Sequence, residues 1–394
     1  MVRSCVEDDD EKKTCPEICA HTKREHIMQL VRFLLQMLNA FGSAPPQDVH
    51  VQDITTLDNT GVRHERNASQ PPTLGFQAAA PRAGGDCEPI VLTLGVNKIK
   101  LTARPIGNCE RCCNMKMRKD IRLLLYTKNN PTNEIPLQIR AGSLKRAGFN
   151  PDHPTVVFVH GFVEVCKTSS SSYAIRDAYM GRPEPYNVIL VDWTNLSAGP
   201  WYGQAAQNTI VVADVLAKFL RAFHKSGELS LDRVHLIGFS LGAQVVGMAG
   251  KHLRAWHLVN RITGLDPALP LYPVKDVAHR VTKDDAQFVD IIHTSPLLLG
   301  YPVSIGHADF YVNPGADFQP GCTFEDLVLR NEIDDYFSCS HQRAWNTYVD
   351  TVKYPDKYPA YQCDSKQRNC KFSNVYMGYN VSRSSRGDYY VRTA

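Results

Sequence analysis

The sequence has no lysine- or arginine-rich block, no internal repeat and no clean targeting signal at its start. Forty acidic residues stand against 44 basic ones, so the formal net charge is only +4. Nucleic-acid binding therefore lacks its electrostatic footprint. The slight positive balance would help at an anionic lipid surface without establishing one. Met1 is followed by an acidic run, Glu7 to Glu11, not by a basic region and an apolar core. The apolar stretch nearest the start, residues 27–41, is broken by Arg32, Gln36 and Asn39 and is too short to span a bilayer. Residues 28–44 read either as a poor signal peptide or as a short amphipathic helix. A start codon assigned too far upstream would account for both features.

A zinc site of finger type is also missing. Cys109-x-x-Cys112 supplies one half, and no second pair follows at finger spacing. The 12 cysteines are many for a reducing compartment, and disulfides in a secreted protein are expected instead. Pairing among Cys87, Cys109, Cys112, Cys113 and Cys166 does not follow from sequence. Asn-x-Ser/Thr acceptors at Asn67, Asn195 and Asn380 agree with a secretory route.

What the sequence does have is the composition of a globular protein, 43% hydrophobic and 21% charged. Residues 1–86 are expected to be a flexible leader, rich in Pro, Gly, Asn, Gln and Ala from about residue 42. Residues 87–394 are expected to form one domain. Its short apolar runs, at 90–94, 121–126, 156–159, 188–191, 234–237, 262–265 and 288–292, are rich in β-branched residues. Helical patterns lie between several of them. Residues 205–223 place Ile210, Val211, Val215, Phe219 and Leu220 near one face, and 241–253 follow directly on a strand. Apolar strands alternating with helices predict an α/β domain with a mostly parallel central sheet flanked by helices. The Tyr-rich, polar residues after His341 are too few for a domain and are expected to complete the same sheet.

The strongest local signal is Gly238-Phe239-Ser240-Leu241-Gly242, set between the strand 234–237 and a helix. Strand, sharp turn and helix are the context of a nucleophile elbow. A serine on so tight a turn needs neighbours without side chains. The helix start also aims free N–H groups and a positive dipole end at a developing oxyanion. A serine hydroxyl needs an imidazole to take its proton and a carboxylate to orient that imidazole. In α/β hydrolases acid and histidine follow the serine, in that order.

Beyond Ser240 come Gly264-Leu265-Asp266-Pro267-Ala268, Asp290-Ile291-Ile292-His293-Thr294, Gly306-His307-Ala308-Asp309-Phe310, Gln319-Pro320-Gly321-Cys322 and Cys339-Ser340-His341. With His160-Gly161-Phe162 and Val191-Asp192-Trp193 upstream, they resemble the pancreatic lipase family, in particular its insect lipase and phospholipase A(1) branch. The resemblance runs from about Ile90 to Thr393 and leaves residues 1–86 uncovered. It implies the α/β-hydrolase fold, with Ser240 as nucleophile, Asp266 as orienting acid and His341 as general base. His293 and His307 take structural positions. The backbone N–H groups of Phe162 and Leu241 would form the oxyanion hole. Asp266, ending a strand before Pro267, also reads as a plain turn residue.

The same resemblance makes residues between Cys322 and Cys339 a lid closed by one disulfide, and pairs Cys363 with Cys370. Phe324, Leu327, Val328, Ile333, Tyr336 and Phe337 recur at helical spacing among acidic residues, the pattern of an amphipathic flap and equally of a surface helix. A short lid and a compact loop at 295–305 are the pattern of phospholipid-accepting members; a neutral glyceride stays open. Leu297, Leu298, Leu299 and Tyr301 are expected to meet a lipid interface.

No lipid-binding β-sandwich follows the domain, so no colipase-type partner is expected. No metal or other cofactor is expected either. In the calcium loop of the pancreatic enzymes Arg280 and Asp285 match, while Val277 and Thr282 stand where acidic ligands belong. The chain is therefore expected to be a secreted serine esterase acting on lipids at a membrane or droplet surface. The alternative is a catalytically silent lipid or steroid carrier of the same fold, like insect yolk proteins.

Overall fold

A computed structural model of the chain describes residues 90–94, 97–101 and 120–393, apart from 141, 165, 167–169, 198–201, 297–298, 315–317, 324, 328–337 and 365–368. The chain divides into two compact units, Met1–Ala103 and Arg104–Ala394. In the first, β1 (Ile90–Leu94) and β2 (Asn97–Leu101) pair antiparallel, Ile90 opposite Leu101. The expected strand at 90–94 thus belongs to a hairpin of its own and not to the large sheet.

The second unit is built on an 11-stranded sheet. Its strands are β3 (Arg122–Thr127), β4 (Asn130–Pro136), β5 (Thr155–Val159), β6 (Asn187–Asp192), β7 (Val234–Phe239), β8 (Arg261–Leu265), β9 (Phe288–His293), β10 (Ala308–Val312), β11 (Pro359–Cys363), β12 (Cys370–Tyr376) and β13 (Gly387–Val391). The order is β12-β11-β13-β10-β9-β8-β7-β5-β6-β3-β4. The run from β13 to β6 is parallel throughout. Antiparallel strands finish both sides, and the residues after His341 complete the sheet as expected.

Strands β5, β6, β8 and β9 are buried at every residue, which is why they read as mainly apolar runs and not as strictly alternating ones. Phe158, Leu190, Ile237 and Leu265 share one face and pack with Tyr179 of α2 (Ser170–Met180) and Tyr348 of α5 (Cys339–Lys353). Each such fully buried side chain contributes about 1.5–3 kcal/mol. The short α1 spans Ser143–Arg146, α3 Tyr202–Lys225 and α4 Leu241–Arg254.

One expected face is displaced. In α3 Ile210 is exposed and Val211 and Val215 are only half-buried, while Ala205, Ala206, Thr209, Val212, Ala213 and Leu216 are covered. The α3 stripe facing the protein is lined with alanine, which lets another backbone come close. The bulkier β-branched residues drew the sequence-based assignment a few tens of degrees away.

The chain goes from β5 to β6 on one side, then returns to the other side of β5 for β7. That reversal opens a crevice at the carboxyl ends of β5 and β7, where ligands bind in open α/β sheets. His160-Gly161-Phe162 leaves one lip and Ser240 the other.

Candidate active site

β7 ends at Phe239 and α4 begins at Leu241, leaving Ser240 alone in the turn with φ 56° and ψ −120°. A side-chain residue at such a φ is strained, and the neighbours hold it there. The Ser240 N–H donates to the Leu265 carbonyl at 3.0 Å. A Cβ on Gly238 would lie 2.2 Å from the Gly242 carbonyl oxygen, and one on Gly242 only 2.1 Å from that of Val159. Both glycines are therefore required by close approach of backbone.

Asp266 follows β8 with φ 43°, a conformation aspartate tolerates better than most residues. It is fully buried and fully bonded. Oδ1 accepts the Thr294 and Ser295 N–H groups at 3.0 and 3.2 Å, and Oδ2 accepts Nδ1–H of His341 at 2.6 Å. His341 stands on the first turn of α5, and its ring lies 4.7 Å from that of Phe239, the residue before Ser240. No described residue occupies the His341 Nε2, and the Ser240 hydroxyl has no hydrogen bond among the described residues. Asp266 and His341 are thus joined, and Phe239, the residue before Ser240, lies against the imidazole. Catalytic hydrogen bonds to a serine hydroxyl commonly tighten only when substrate binds.

The other histidines are already engaged. His293 is buried with both ring nitrogens on acceptors, Nδ1 at 3.0 Å from the Tyr301 carbonyl and Nε2 at 2.9 Å from Asp309. His307 accepts the Val289 N–H through Nδ1 and stacks on Phe288. With both nitrogens engaged, His293 has none left to take the Ser240 proton.

The loop leaving β5 packs on the serine, because a Cβ on Gly161 would lie 3.1 Å from the Ser240 Cβ. Phe162 follows, its ring set edge-on to Tyr202 at 5.1 Å. Among the described residues, the N–H groups of Phe162 and Leu241 have no acceptor. His160 is fully buried; its Nδ1 lies 3.0 Å from the Gly161 carbonyl and its Nε2 3.4 Å from the Trp193 N–H. Burial holds this imidazole below its ordinary value, against the opposing pull of Glu164.

Sequence reasoning missed several supports of the site. Gln319 is buried and donates to the Thr294 and Val312 carbonyls, while its own N–H reaches the Ser340 hydroxyl beside His341. Gln244 of α4 donates to the Ala268 carbonyl and accepts the Val281 N–H. A glutamine in sequence carries no mark of such bridging; only its place in the Gln319-Pro320-Gly321-Cys322 motif singled one of them out.

Disulfides join Cys322 to Cys339 and Cys363 to Cys370, as the resemblance implied. Cys166 is a buried free thiol, pushed up to about 12 by burial. Of the lid residues, Leu327 is fully buried. Thr323 and Asp326 cap each other at the start of that segment. Phe324, Val328, Ile333, Tyr336 and Phe337 lie outside the described residues, as do Leu297 and Leu298. Tyr301 corrects the expectation of an interfacial side chain: it is fully buried and its hydroxyl donates to the Tyr272 carbonyl.

The calcium-loop segment does not fit a hard cation. The Asp285 carboxylate is taken by the Lys251 ammonium at 2.6 Å and by the N–H of Thr282 at 2.7 Å. The Arg280 guanidinium occupies the carbonyls of Val274 and Val281.

The family model described as Lipase matches residues 99–387. The hepatic triacylglycerol lipase of Oryctolagus cuniculus is 34% identical over 310 residues, covering 74% of this chain and 61% of that protein. The hepatic triacylglycerol lipase of Homo sapiens is 37% identical over 286 residues, 67% of this chain and 57% of that one. Lipase member H-A of Xenopus laevis is 37% identical over 247 residues, covering 62% and 51%. The chain therefore spans between about half and three-fifths of the length of these relatives.

Proposed function

The chain belongs to the pancreatic lipase family, and from that premise we propose that it is a secreted serine esterase cleaving acyl esters of glycerolipids through an acyl-enzyme. Ser240 Oγ attacks the ester carbonyl while His341 Nε2 takes its proton. Asp266 holds the imidazole in the tautomer that leaves Nε2 unprotonated and stabilises the imidazolium that follows. The negative charge on the former carbonyl oxygen is met by the N–H groups of Phe162 and Leu241, the latter at the positive end of α4. The imidazolium returns its proton to the departing alcohol, leaving the acyl group on Ser240. Water, deprotonated by the same Nε2, then attacks the acyl carbonyl, and the imidazolium returns that proton to Ser240 Oγ as the fatty acid leaves.

The observation that carries this reading is the 2.6 Å bond from His341 Nδ1 to a fully buried Asp266, with the His341 ring against Phe239, the residue before a serine on a sharp turn. Relatives named triacylglycerol lipases support a glycerolipid substrate. The two disulfides support an oxidising compartment.

A fluorophosphonate probe tests the chemistry. The wild type is expected to be labelled on Ser240 and Ser240→Ala to lose labelling while remaining folded, with turnover lower by roughly 10⁴-fold or more. An unlabelled, folded wild type would instead favour a silent carrier. Fatty-acid release from phosphatidylcholine and from triolein by the same preparation separates the two substrate classes, and release from neither rejects both.

A further inference from the structure

The turn between β5 and α2 contains a carboxylate that the reaction as described does not use. Glu164 reaches back three residues, and its Oε2 accepts the Gly161 N–H at 2.7 Å. Its Oε1 accepts the hydroxyl proton of Ser171, a fully buried residue on the first turn of α2, at 2.6 Å. Between these anchors Val163 stands at φ 56°, its side chain 51% exposed, and donates its N–H to the Ser197 carbonyl at 2.7 Å. A valine in the left-handed region costs about 1–3 kcal/mol and persists only where its surroundings impose it. The exposed side chain contributes little to that constraint. The constraint comes from the two ends of the turn: the Ser197 carbonyl at one and the Glu164 carboxylate at the other.

The peptide held this way, between His160 and Gly161, directly precedes the one whose N–H matters to Ser240. Gly161 lies against the Ser240 Cβ, and the next N–H along the chain is that of Phe162. We infer that Glu164 is a positioning residue: its carboxylate, shared between Gly161 and Ser171, fixes the turn so that the Phe162 N–H faces the oxygen of the tetrahedral intermediate. The inference rests on the esterase reading of Ser240. It gives Glu164 a role through geometry and not through charge. A negative charge close to a developing oxyanion opposes catalysis electrostatically, so the carboxylate is present as a two-sided hydrogen-bond acceptor despite its sign.

That distinction makes a sharp experiment. In Glu164→Gln the amide oxygen can accept the Gly161 N–H while the amide nitrogen donates to the Ser171 hydroxyl oxygen, and both anchors survive. In Glu164→Ala both are lost. With a soluble short-chain p-nitrophenyl ester, Glu164→Ala is expected to lower kcat by roughly 10²-fold, the scale of one lost oxyanion-hole donor. Its KM should stay within about threefold, and Glu164→Gln should restore kcat to within about threefold of wild type. Amide hydrogen exchange across residues 160–164 gives a second readout: faster in the alanine variant, native in the glutamine variant.

Should the alanine variant fail to fold, Ser171→Ala removes one anchor alone. It is expected to lower kcat about threefold to tenfold at unchanged KM. An alanine variant with unimpaired kcat, a glutamine variant as damaged as the alanine one, or an unaffected Ser171→Ala overturns the inference. A wild type that hydrolyses no ester rejects the reading of Ser240 itself, and the positioning role with it. In that case the failure lies in the unsubstituted protein and not in the variants.

Discussion

Asp266 and His341 stand 75 positions apart in the chain and meet through a 2.6 Å hydrogen bond in a site almost closed to solvent. The second carboxylate oxygen is held by two backbone N–H groups, so the acid has a single orientation available. Asp266→Asn should keep this frame, because an amide oxygen can still accept from Thr294 and Ser295. The amide nitrogen then faces the imidazole and favours the tautomer with the proton on Nε2, the wrong side for taking one from Ser240. The expected result is a loss of about 10³- to 10⁴-fold in kcat with little change in KM. Steady-state kinetics on a folded variant checks it, and a loss below tenfold would exclude Asp266 as the orienting acid.

Gly300 guards the same carboxylate from the opposite side. A Cβ there would lie 2.3 Å from Asp266 Oδ1 and 2.9 Å from Oδ2. Asp266 is pinned by three hydrogen bonds and cannot move aside cheaply. Gly300→Ala should therefore push the acid out of register with His341. Turnover should fall at least tenfold, and the variant should lose about 1–3 kcal/mol of stability, the usual cost of overpacking. Thermal melting together with kcat tests both parts. Full activity in the alanine variant would mean the 295–301 loop yields more readily than its bonds to Asp266 and His293 suggest.

How much of this was legible in the sequence depended on what kind of signal each element left. Most of the parallel strands were plain, because burial on both faces leaves runs such as 156–159 with no polar residue to confuse the period, whereas β10 and β13, carrying Asp and Tyr, left no such run. β4, Asn130–Pro136, was missed, since an exposed edge strand carrying Asn, Thr and Glu has no apolar pattern to show. The serine turn was legible because its glycines answer to backbone contacts that only glycine allows. Glu164 and Lys251 were not legible, and Gln319 only through its motif. Each acts on partners brought near by the fold, and a lone Glu, Gln or Lys in sequence looks like a solvated surface residue. Tyr301 was misassigned for the converse reason: beside Leu297 to Leu299 it reads as interfacial, whereas its hydroxyl finds a buried carbonyl.

One buried and one half-buried histidine, His160 and His235, give the protein an acid-sensitive stability. Burial holds both His160 and His235 below the ordinary imidazole value, and for His235 the Arg261 and Arg383 guanidiniums press the same way. His160 has no room for a second proton, since its Nε2 faces the Trp193 N–H. The unfolded chain, with both rings near the ordinary value of about 6.5, takes up protons first as pH falls. The stability these groups contribute is present above that value and drains away below it. Stability should fall between pH 7.5 and 5.5, by at most about 1.4 kcal/mol for each ring. Urea midpoints at the two values provide the test, and a midpoint that is level or higher at pH 5.5 contradicts it.

Lys251 of α4 supplies the positive charge that pairs with Asp285 in the segment packed on that helix. Its ammonium lies 2.6 Å from Asp285 and 3.0 Å from the Thr282 hydroxyl, with the lysine side chain 14% exposed and the aspartate not at all. Burial pulls the lysine down and pushes the aspartate up, so either charge alone would be expensive there. Removing one partner is therefore worse than removing both. Lys251→Met should cost about 3 kcal/mol, and Lys251→Met with Asp285→Asn should recover most of it. Because the ammonium supplies the positive charge, millimolar EDTA should leave the wild-type Tm unmoved. If EDTA lowers Tm, or if the double variant is as unstable as the single one, Lys251 is not what holds this segment to α4.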